Sequence, residues 1–380
     1  MDFRYTEEQL GLQETLQRWI SRDYGFEQRR ALARSTLGYS PEGWAHFADL
    51  GLLALPFPEE FGGLGGSHVD LMVVMEQVGQ GLLLEPYWST VVLCGGLVRD
   101  SAPKALQQRV LPEIAAGRMK LALAAYEAAG RYELSHVECV AIRRGEGWAL
   151  SGEKVAVLDA PSADFVVVSA RTSGGVTDQE GISLFLVKRD APGLTVSEYQ
   201  TQSGGRAGDL RLEAVAVDGA DVVSDVGKAF AALERATDAA IAALCAESVG
   251  IVTALNQATL EYLKTRKQFG VPIGTFQALQ HRMADMYIAA EQIRSMAIVA
   301  AVNADSSDAA ERHRAIAGAK AYVGQAARFV GQQAVQLHGG MGIVDELIVS
   351  HYFKRLTMID LTLGDADYHL GKYSDTLASA

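Results

Sequence analysis

Hydrophobic residues change their spacing twice along this chain of 380 residues. Helical spacing runs through residues 1–117, alternation interrupted by turn residues through 118–224, and helical spacing again through 225–380. Because each period belongs to one type of secondary structure, this order predicts an α+β protein of three domains with these bounds. Strands and helices do not alternate finely, and no GxGxxG follows a first strand, which argues against a dinucleotide site of the Rossmann type.

Two helix starts and one loop can be predicted in the N-terminal region. Thr6, with Gln9 three residues later, resembles a capping box before an apolar-periodic run. Ser40 precedes Pro41, and proline suits the first position of a helix. Residues 56–66 (PFPEEFGGLGG) contain two prolines and four glycines, so they predict an ordered loop rather than a continued helix.

The middle region contains short runs rich in β-branched and aromatic residues. DFVVVSAR and ISLFLVKR are bounded by turn residues, AIRRGEGWALSG places a glycine-containing turn between two such runs, and LRLEAVAVDG alternates with a period of two. Several short strands separated by turns predict a small antiparallel barrel or sandwich.

Four long helical patterns fill the C-terminal region. They cover residues 227–265, 273–304, 308–338 and 345–377, and glycine, proline or serine residues separate them. Long helices with short connections predict a four-helix bundle.

Charge and cysteine content argue against several classes of protein. The chain has 34 Lys and Arg against 46 Asp and Glu, a net charge of -12 that is unfavourable for binding nucleic acid or an anionic membrane. Charges interrupt the apolar stretches before the length of a membrane span, and the acidic start is unlike a signal peptide. Cys94, Cys139 and Cys245 are scattered and odd in number, which predicts neither disulfides nor a metal site and favours a cytoplasmic protein.

Glu247 is the only charged residue in the segment 239–260. Its neighbours three and four residues away are apolar, so no pair on the same helix explains it. A carboxylate on an apolar helix is costly unless a partner or a function keeps it there, and such a carboxylate is suited to act as a general base. Small neighbours, Gly250 among them, would let a flat ligand approach. The alternative is a carboxylate satisfied by an arginine or a backbone donor of another helix.

Two further segments are suited to contact a phosphorylated ligand. Arg266 lies at a basic helix end before a Gly-Val-Pro turn, and its planar guanidinium matches phosphate oxygens. Residues 339–342 (GGMG) form a turn between two long helices, where backbone N–H groups can approach a ligand. Each segment alone is equally explained by an ordinary helix end, with capping cations or a capping glycine.

Taken together, these segments resemble the acyl-CoA dehydrogenase family. RKQFGVPIGTFQ (266–277) matches the family's RxQFGxPIxxFQ signature, QAVQLHGGMG matches its flavin-contacting turn, and PEEFGGLGG resembles its PEEYGGLG loop. The resemblance spans almost the whole chain in the family's order. It implies an N-terminal helical domain, a middle antiparallel β-barrel and a C-terminal four-helix bundle. FAD would lie between barrel and bundle and reach into a neighbouring subunit.

The resemblance also implies which residues contact FAD. Eight residues share this prediction: Arg266, Gln268 and Phe269 on the pyrophosphate side, Gln336, Gly339 and Gly340 across a subunit contact, and Tyr126 and Val157 on the strand pair beside the isoalloxazine ring.

The reaction implied is the α,β-dehydrogenation of an acyl-CoA. A carboxylate removes the α-proton, the β-hydrogen leaves as hydride to the flavin, and an electron-transferring flavoprotein takes the electrons. Most members carry this base in a Glu-Gly-Thr segment, whose glutamate aligns here with Gly364, so that the adjacent Asp365 is the second candidate. A minority branch carries it near the position of Ala240. Glu247 lies two helical turns later on the same face and is the first candidate.

The middle region departs from the family's pattern. The substrate loop TEPxAGSD is replaced by YEAAGRY, and the flavin wall Trp-Ile-Thr by Ala-Val-Leu. With these losses the chain looks closest to the small subunit of pimeloyl-CoA dehydrogenase and related heteromeric (α2β2) enzymes. This resemblance implies a homologous large subunit or self-association. Gly250 and Arg131 are the predicted substrate contacts, Arg131 as a partner for a distal carboxylate.

Three hypotheses follow from the sequence. The chain is a catalytic acyl-CoA dehydrogenase subunit with Glu247 as base, or a non-catalytic partner subunit that binds part of FAD. The third hypothesis is a flavin monooxygenase or oxidase on the same fold. The sequence does not determine the acyl chain, whether dicarboxylic or steroid.

Overall fold

The computed structural model describes residues 5–378. The chain folds into two compact units. The helical unit comprises the residues up to 30, residues 68–83 and the residues from 241 onward, and the sheet unit comprises residues 31–67 and 84–240. These units do not follow the division at residues 117 and 224, so the three-domain division stays a prediction.

The described residues form eleven α-helices. Their bounds are α1 (Glu7–Asp23), α2 (Phe26–Arg34), α3 (Pro41–Asp49), α4 (His68–Gly81), α5 (Gly96–Ser101), α6 (Lys104–Ala115), α7 (Phe230–Thr265), α8 (Gln277–Ala304), α9 (Ala309–His338), α10 (Ile348–Leu361) and α11 (Ala366–Ala378). A π-helical segment, Trp88–Gly95, leads directly into α5.

Both predicted helix starts are confirmed. The Thr6 hydroxyl accepts a hydrogen bond from the Gln9 N–H, and the Gln9 side chain accepts one from the Thr6 N–H, which completes the capping box of α1. The Ser40 hydroxyl accepts from the Gly43 N–H, and Pro41 takes the first position of α3.

The predicted loop at residues 56–66 is ordered by its own backbone. The Gly63 N–H donates to the Pro58 carbonyl, and the Gly65 N–H donates to the Phe57 carbonyl. A Cβ at Gly63 would lie 1.9 Å from the Phe57 carbonyl oxygen, so only glycine permits this close turn.

Nine strands are described. Their bounds are β1 (Leu121–Ala124), β2 (Val140–Arg144), β3 (Gly147–Leu158), β4 (Phe165–Arg171), β5 (Ile182–Lys188), β6 (Leu194–Gln200), β7 (Arg206–Val217), β8 (Lys267–Gln268) and β9 (Val271–Pro272).

The first seven strands form one sheet in the order β1-β4-β2-β3-β7-β6, with β5 also paired to β4. The hairpin β2–β3 that was predicted from the Gly-containing turn is confirmed. The purely antiparallel barrel is wrong, because β1 and β4 pair in parallel. The chain between them includes β2 and β3, which is long enough for a crossover connection. The sheet is therefore mixed, and its described strands do not close into a barrel.

The C-terminal region has three of the four predicted helices as single elements, α7, α8 and α9. The fourth, expected at 345–377, is wrong as one helix because it divides into α10 and α11. Leu363 has φ +58° and Gly364 has φ +109°, so the backbone between α10 and α11 leaves the right-handed helical conformation at these two residues. Helix α9 packs against α8, α10 and α11 and forms the centre of this bundle.

Helix α7 is apolar and long enough to cross a membrane by length and composition. The expectation that charges interrupt each apolar stretch before such a length is therefore wrong for α7. However, 89% of its most apolar window is buried inside the protein. A core helix of a large bundle has this pattern.

Candidate functional site

Glu247 on α7 is 2% exposed, and Arg355 on α10 neutralises it. The Arg355 Nε donates to Oε1 at 2.5 Å, and Nη2 donates to Oε2 at 2.7 Å. This bidentate ion pair is the arrangement in which another helix satisfies the carboxylate. It is the alternative given above, a carboxylate satisfied by an arginine of another helix. The role of Glu247 as general base stays a prediction. To accept a proton from a substrate, the carboxylate would have to give up a hydrogen bond, because both of its oxygens already accept one from Arg355.

The helices α4 and α7 cross at two glycines. A Cβ at Gly250 would lie 1.8 Å from the Glu76 carbonyl oxygen, and a Cβ at Gly79 would lie 2.1 Å from the Glu247 carbonyl oxygen. The two backbones can approach this closely only where no side chain intervenes. Gly250 was expected to make room for a substrate. This expectation needs correction, because the backbone of α4 fills the open side of Gly250.

Asp365, the second candidate for the base, caps a helix. Its Oδ1 accepts from the Tyr368 N–H at 2.9 Å, at the start of α11. The neighbouring Gly364 is closed to side chains, because a Cβ there would lie 2.6 Å from both His369 Nε2 and Tyr368 Cδ1. A glutamate at position 364 would therefore displace the residues around this turn.

A buried lysine that was not predicted from the sequence holds the same turn. Lys320 is fully buried, and its Nζ donates to the carbonyls of Ile359 (2.6 Å), Asp360 (2.7 Å) and Gly364 (2.9 Å). Burial lowers the pKa of Lys320 to about 8. In the sequence, Lys320 is a single charge among apolar and small residues, as Glu247 is. The same signal could therefore have identified Lys320.

His369 fixes the turn from its other side. Its Nε2 donates to the Leu363 carbonyl at 2.9 Å, while its buried Nδ1 has no hydrogen-bond partner among the described residues. Burial, followed by the charge of Lys320, lowers the pKa of His369 to about 4. The ring is therefore neutral at neutral pH.

The RxQFG segment forms an exposed hairpin in the helical unit. The Ile273 N–H donates to the Arg266 carbonyl and closes the hairpin of β8 and β9. Arg266 and Gln268 are exposed, and Phe269 at the tip is 93% exposed with φ +54°. A fully exposed aromatic ring in a left-handed conformation is costly in a free chain, so this hairpin is suited to contact a ligand or another subunit.

The glycine turn at the end of α9 lies next to the base of this hairpin. His338 stacks on Tyr262 of α7 with ring centroids 4.4 Å apart, and its Nδ1 donates to the Ala334 carbonyl. Gly339 has φ +60° and ends α9. Gln336, Gly339 and Gly340 are all exposed. The structure thus brings the two predicted FAD-contacting segments of the helical unit to neighbouring helix ends.

A cleft of about 700 Å³ lies beside the hairpin, between α7 and α8. Its lining is mainly apolar, with Leu260, Leu263, Pro272, Met283 and Tyr287 among its residues. Such a surface favours a planar or apolar group.

The predicted site residues of the sheet unit differ in exposure: some are buried and others lie at the surface. The Tyr126 carbonyl accepts from the Val155 N–H at 3.0 Å, which joins the two predicted segments. The side chain of Val157 is 1% exposed, so only its backbone is left for the predicted contact with a flavin, which stays a prediction. Its neighbour Ala156 is exposed with φ +54°. Arg131 is exposed with φ +50°, as a substrate contact at a loop surface would be.

A buried ion pair that was not identified from the sequence lies between these segments. Lys154 on β3 is fully buried, Glu127 is 6% exposed, and Nζ lies 2.7 Å from Oε1. Ligand atoms of Glu127, His136 and Glu138 lie within 4.8 Å of one another, as a metal site would require. The Lys154 ammonium already supplies the positive charge beside Glu127.

Comparison with protein families gives three matches in chain order. The N-terminal, middle and C-terminal domains of acyl-CoA dehydrogenase match residues 6–118, 122–215 and 230–377. Among curated proteins, acyl-CoA dehydrogenase fadE12 of Mycobacterium tuberculosis is 31% identical over 356 residues, which cover 90% of this chain and 89% of that protein.

Two solved structures of complexes are also similar. A chain of a variant of the Tcur3481-Tcur3483 steroid ACAD is 32% identical, with a TM-score of 0.88 and 98% of both chains covered. A chain of the ChsE4-ChsE5 complex from Mycobacterium tuberculosis is 27% identical, with a TM-score of 0.89 and 100% of both chains covered.

Proposed function

Because the chain belongs to the acyl-CoA dehydrogenase family, whose members are FAD-dependent oxidoreductases, we propose that it works in an enzyme that oxidises an acyl-CoA thioester between the α and β carbons. The observation that carries this proposal is the hairpin of residues 266–273. It presents Arg266 at its base, Gln268 on its first strand and Phe269 at its tip, all three exposed. A ring that is 93% exposed contributes little to the packing of the described part of the helical unit, so packing does not explain an aromatic residue at this position.

The exposed groups of the helical unit fit FAD. The Arg266 guanidinium matches a pyrophosphate, and the Phe269 ring and the neighbouring cleft suit planar parts of the cofactor. Gly339 and Gly340 carry no side chain and are exposed at the end of α9, so a cofactor can approach the backbone there, although the Gly339 N–H already donates to the Gln336 carbonyl. FAD, when bound, supplies the hydride acceptor. The chain's own part is to hold and orient the cofactor and the thioester.

A second subunit is part of the proposal. Both similar structures are complexes named for two chains. We infer a homologous large subunit that shares each site, with self-association as the alternative, and an electron-transferring flavoprotein as electron acceptor. The nearer kinship to the small subunit of pimeloyl-CoA dehydrogenase stays a prediction. The three cysteines are free and buried, which is compatible with the reducing cytoplasm that we propose as its compartment.

One observation favours a second candidate function, that of a partner subunit which does not supply the base. Glu247 is held by Arg355, and Asp365 caps α11. Gly364, which aligns with the usual base, is closed to a side chain. In this case a carboxylate of the large subunit removes the α-proton, while the present chain binds part of FAD.

The test begins with the complex purified by a tag on this chain. We expect bound flavin, seen by its visible absorbance, and reduction of that flavin by an acyl-CoA thioester. Arg266→Ala should lower the flavin content, whereas Arg118→Ala, which removes an exposed arginine of the sheet unit, should not. A colourless complex that reduces no acceptor with any thioester contradicts the proposal. Fast reoxidation of the reduced flavin by oxygen alone would favour the oxidase or monooxygenase.

A further inference from the structure

We propose that Glu127 and Lys154 are a positioning pair for the proposed reaction, and that they fix the loop 125–139 against β3. The inference rests on the proposed function, because the resemblance places the substrate loop and the flavin wall in these two segments. Neither residue is assigned to contact substrate or cofactor. Their effect would pass through the backbone that they hold.

The lysine anchors this pair to the centre of the sheet. Lys154 is fully buried, and its Nζ donates to Glu127 Oε1 at 2.7 Å and to the Ser169 hydroxyl at 2.9 Å. Ser169 lies on β4, so one ammonium group connects two strands to the loop. The Ala125 carbonyl completes its surroundings at 3.5 Å.

The glutamate ties the two ends of the loop together. Besides Lys154, Oε1 accepts from the Cys139 N–H at 3.0 Å, and Oε2 accepts from the Glu138 N–H at 2.6 Å. Glu127 therefore closes a loop of about a dozen residues through one carboxylate. Arg131 lies inside this loop, so its position depends on the closure.

The backbone leaves little room between loop and strand. The Val155 N–H donates to the Tyr126 carbonyl at 3.0 Å, next to the ion pair. A Cβ at Gly152 would lie 2.6 Å from the Cys139 Cα. The register of β3 against β7 shifts between Lys154 and Val157, directly after the ion pair. The pair thus sits where the loop is nearest and where β3 bulges.

A buried ion pair contributes little net stability, because desolvation offsets most of the attraction. Its hydrogen bonds are directional, however, and two apolar side chains of similar volume would not reproduce them. A shift of about 1 Å in the groups that position a substrate can lower a rate by about 100-fold. The pair's expected effect is therefore on the rate of the bound complex and less on folding.

The test compares the rate per bound flavin in the purified complex. Glu127→Gln/Lys154→Met removes both charges and leaves no buried charge unpaired. We expect a melting temperature and a flavin content close to those of the unaltered complex, at least a tenfold lower kcat per bound flavin, and a KM for the thioester within threefold. Glu127→Gln alone keeps one acceptor at position 127 and also the Lys154 Nζ donor, so it should give a smaller loss of kcat than the double variant.

The control is Ser183→Ala, which removes part-buried hydrogen bonds with Thr172 and the Gly227 N–H in the same unit, neither of which belongs to the loop or to β3. It should leave kcat per bound flavin unchanged. A kcat per bound flavin within twofold of the unaltered complex in both charge variants overturns the proposal. So does a loss in proportion to stability that Ser183→Ala reproduces. Absence of flavin and oxidation in the unaltered complex would instead refute the proposed function.

Discussion

Glu247 of the helical unit and Glu127 of the sheet unit are both buried, but different donors satisfy their carboxylates. In the helical unit, Glu247 depends on one cation, and the Arg355 side chain that supplies it is 24% exposed. In the sheet unit, Glu127 accepts from Lys154 and also from two backbone N–H groups of its own loop. A helix cannot offer such donors, because its interior N–H groups already bond within the helix. A loop beside a sheet can.

The two units also differ in their histidines. The described histidines that are buried are His68, His338, His351 and His369, and all of them belong to the helical unit. Burial lowers the pKa of the last three. The stability of the helical unit should therefore depend more on acid than that of the sheet unit.

The largest effect is expected when the ion pair of Glu247 and Arg355 in the helical unit is broken. Arg355→Met leaves a buried carboxylate without its cation and should cost about 3–5 kcal/mol of unfolding free energy. Urea denaturation at neutral pH measures this change. The double variant Glu247→Gln/Arg355→Met should recover more than half of the loss. A cost below about 1 kcal/mol for the single variant would show that Glu247 finds other donors.

Acid should act next on the helical unit. The pKa of His369 lies near 4 in the folded chain and near 6.5 when unfolded, so the unfolded chain binds the proton first as the pH falls. The contribution of neutral His369 is complete above about pH 6.5 and is lost as the pH falls towards 4, on the order of 3 kcal/mol in total. Urea denaturation between pH 7 and 4.5 gives the unfolding free energy at each pH, and this free energy should fall less with decreasing pH in His369→Gln than in the unaltered chain. An equal fall in both proteins would exclude His369 as the cause.

A smaller effect is expected for the corresponding change in the sheet unit. Lys154→Met leaves Glu127 with its two backbone donors, so the cost should be about 2 kcal/mol, below that of Arg355→Met. The same urea measurement compares the two variants directly. A larger cost for Lys154→Met would contradict the view that backbone donors protect Glu127.

The smallest expected effect concerns activity. If Glu247 serves only the ion pair, Glu247→Gln should change kcat per bound flavin less than threefold in the purified complex. A general base contributes about 100-fold or more, so a loss of that size at full flavin content would restore Glu247 as the base. Asp365→Asn, measured beside it, tests the second candidate.

Local signals predicted much of the fold. The capping box at Thr6, the Pro41 start, the ordered loop at 56–66 and three bundle helices all depend on residues close in sequence. The division of the last helix was missed, although Gly364 lies at its centre. A single glycine within a helical pattern is often tolerated, so the left-handed turn there required the contacts of Lys320 and His369.

By itself, the sequence determined the order of helical and strand regions, the family signatures and the presence of an isolated acid at Glu247. Only the tertiary structure decided which residue pairs with that acid, because its partner Arg355 lies 108 residues away. Hydrophobic periodicity reports which face of an element is buried, but not which distant element covers it. For the same reason, the sequence did not predict the parallel pairing of β1 with β4 or the ion pair of Glu127 with Lys154, and only the tertiary structure shows them.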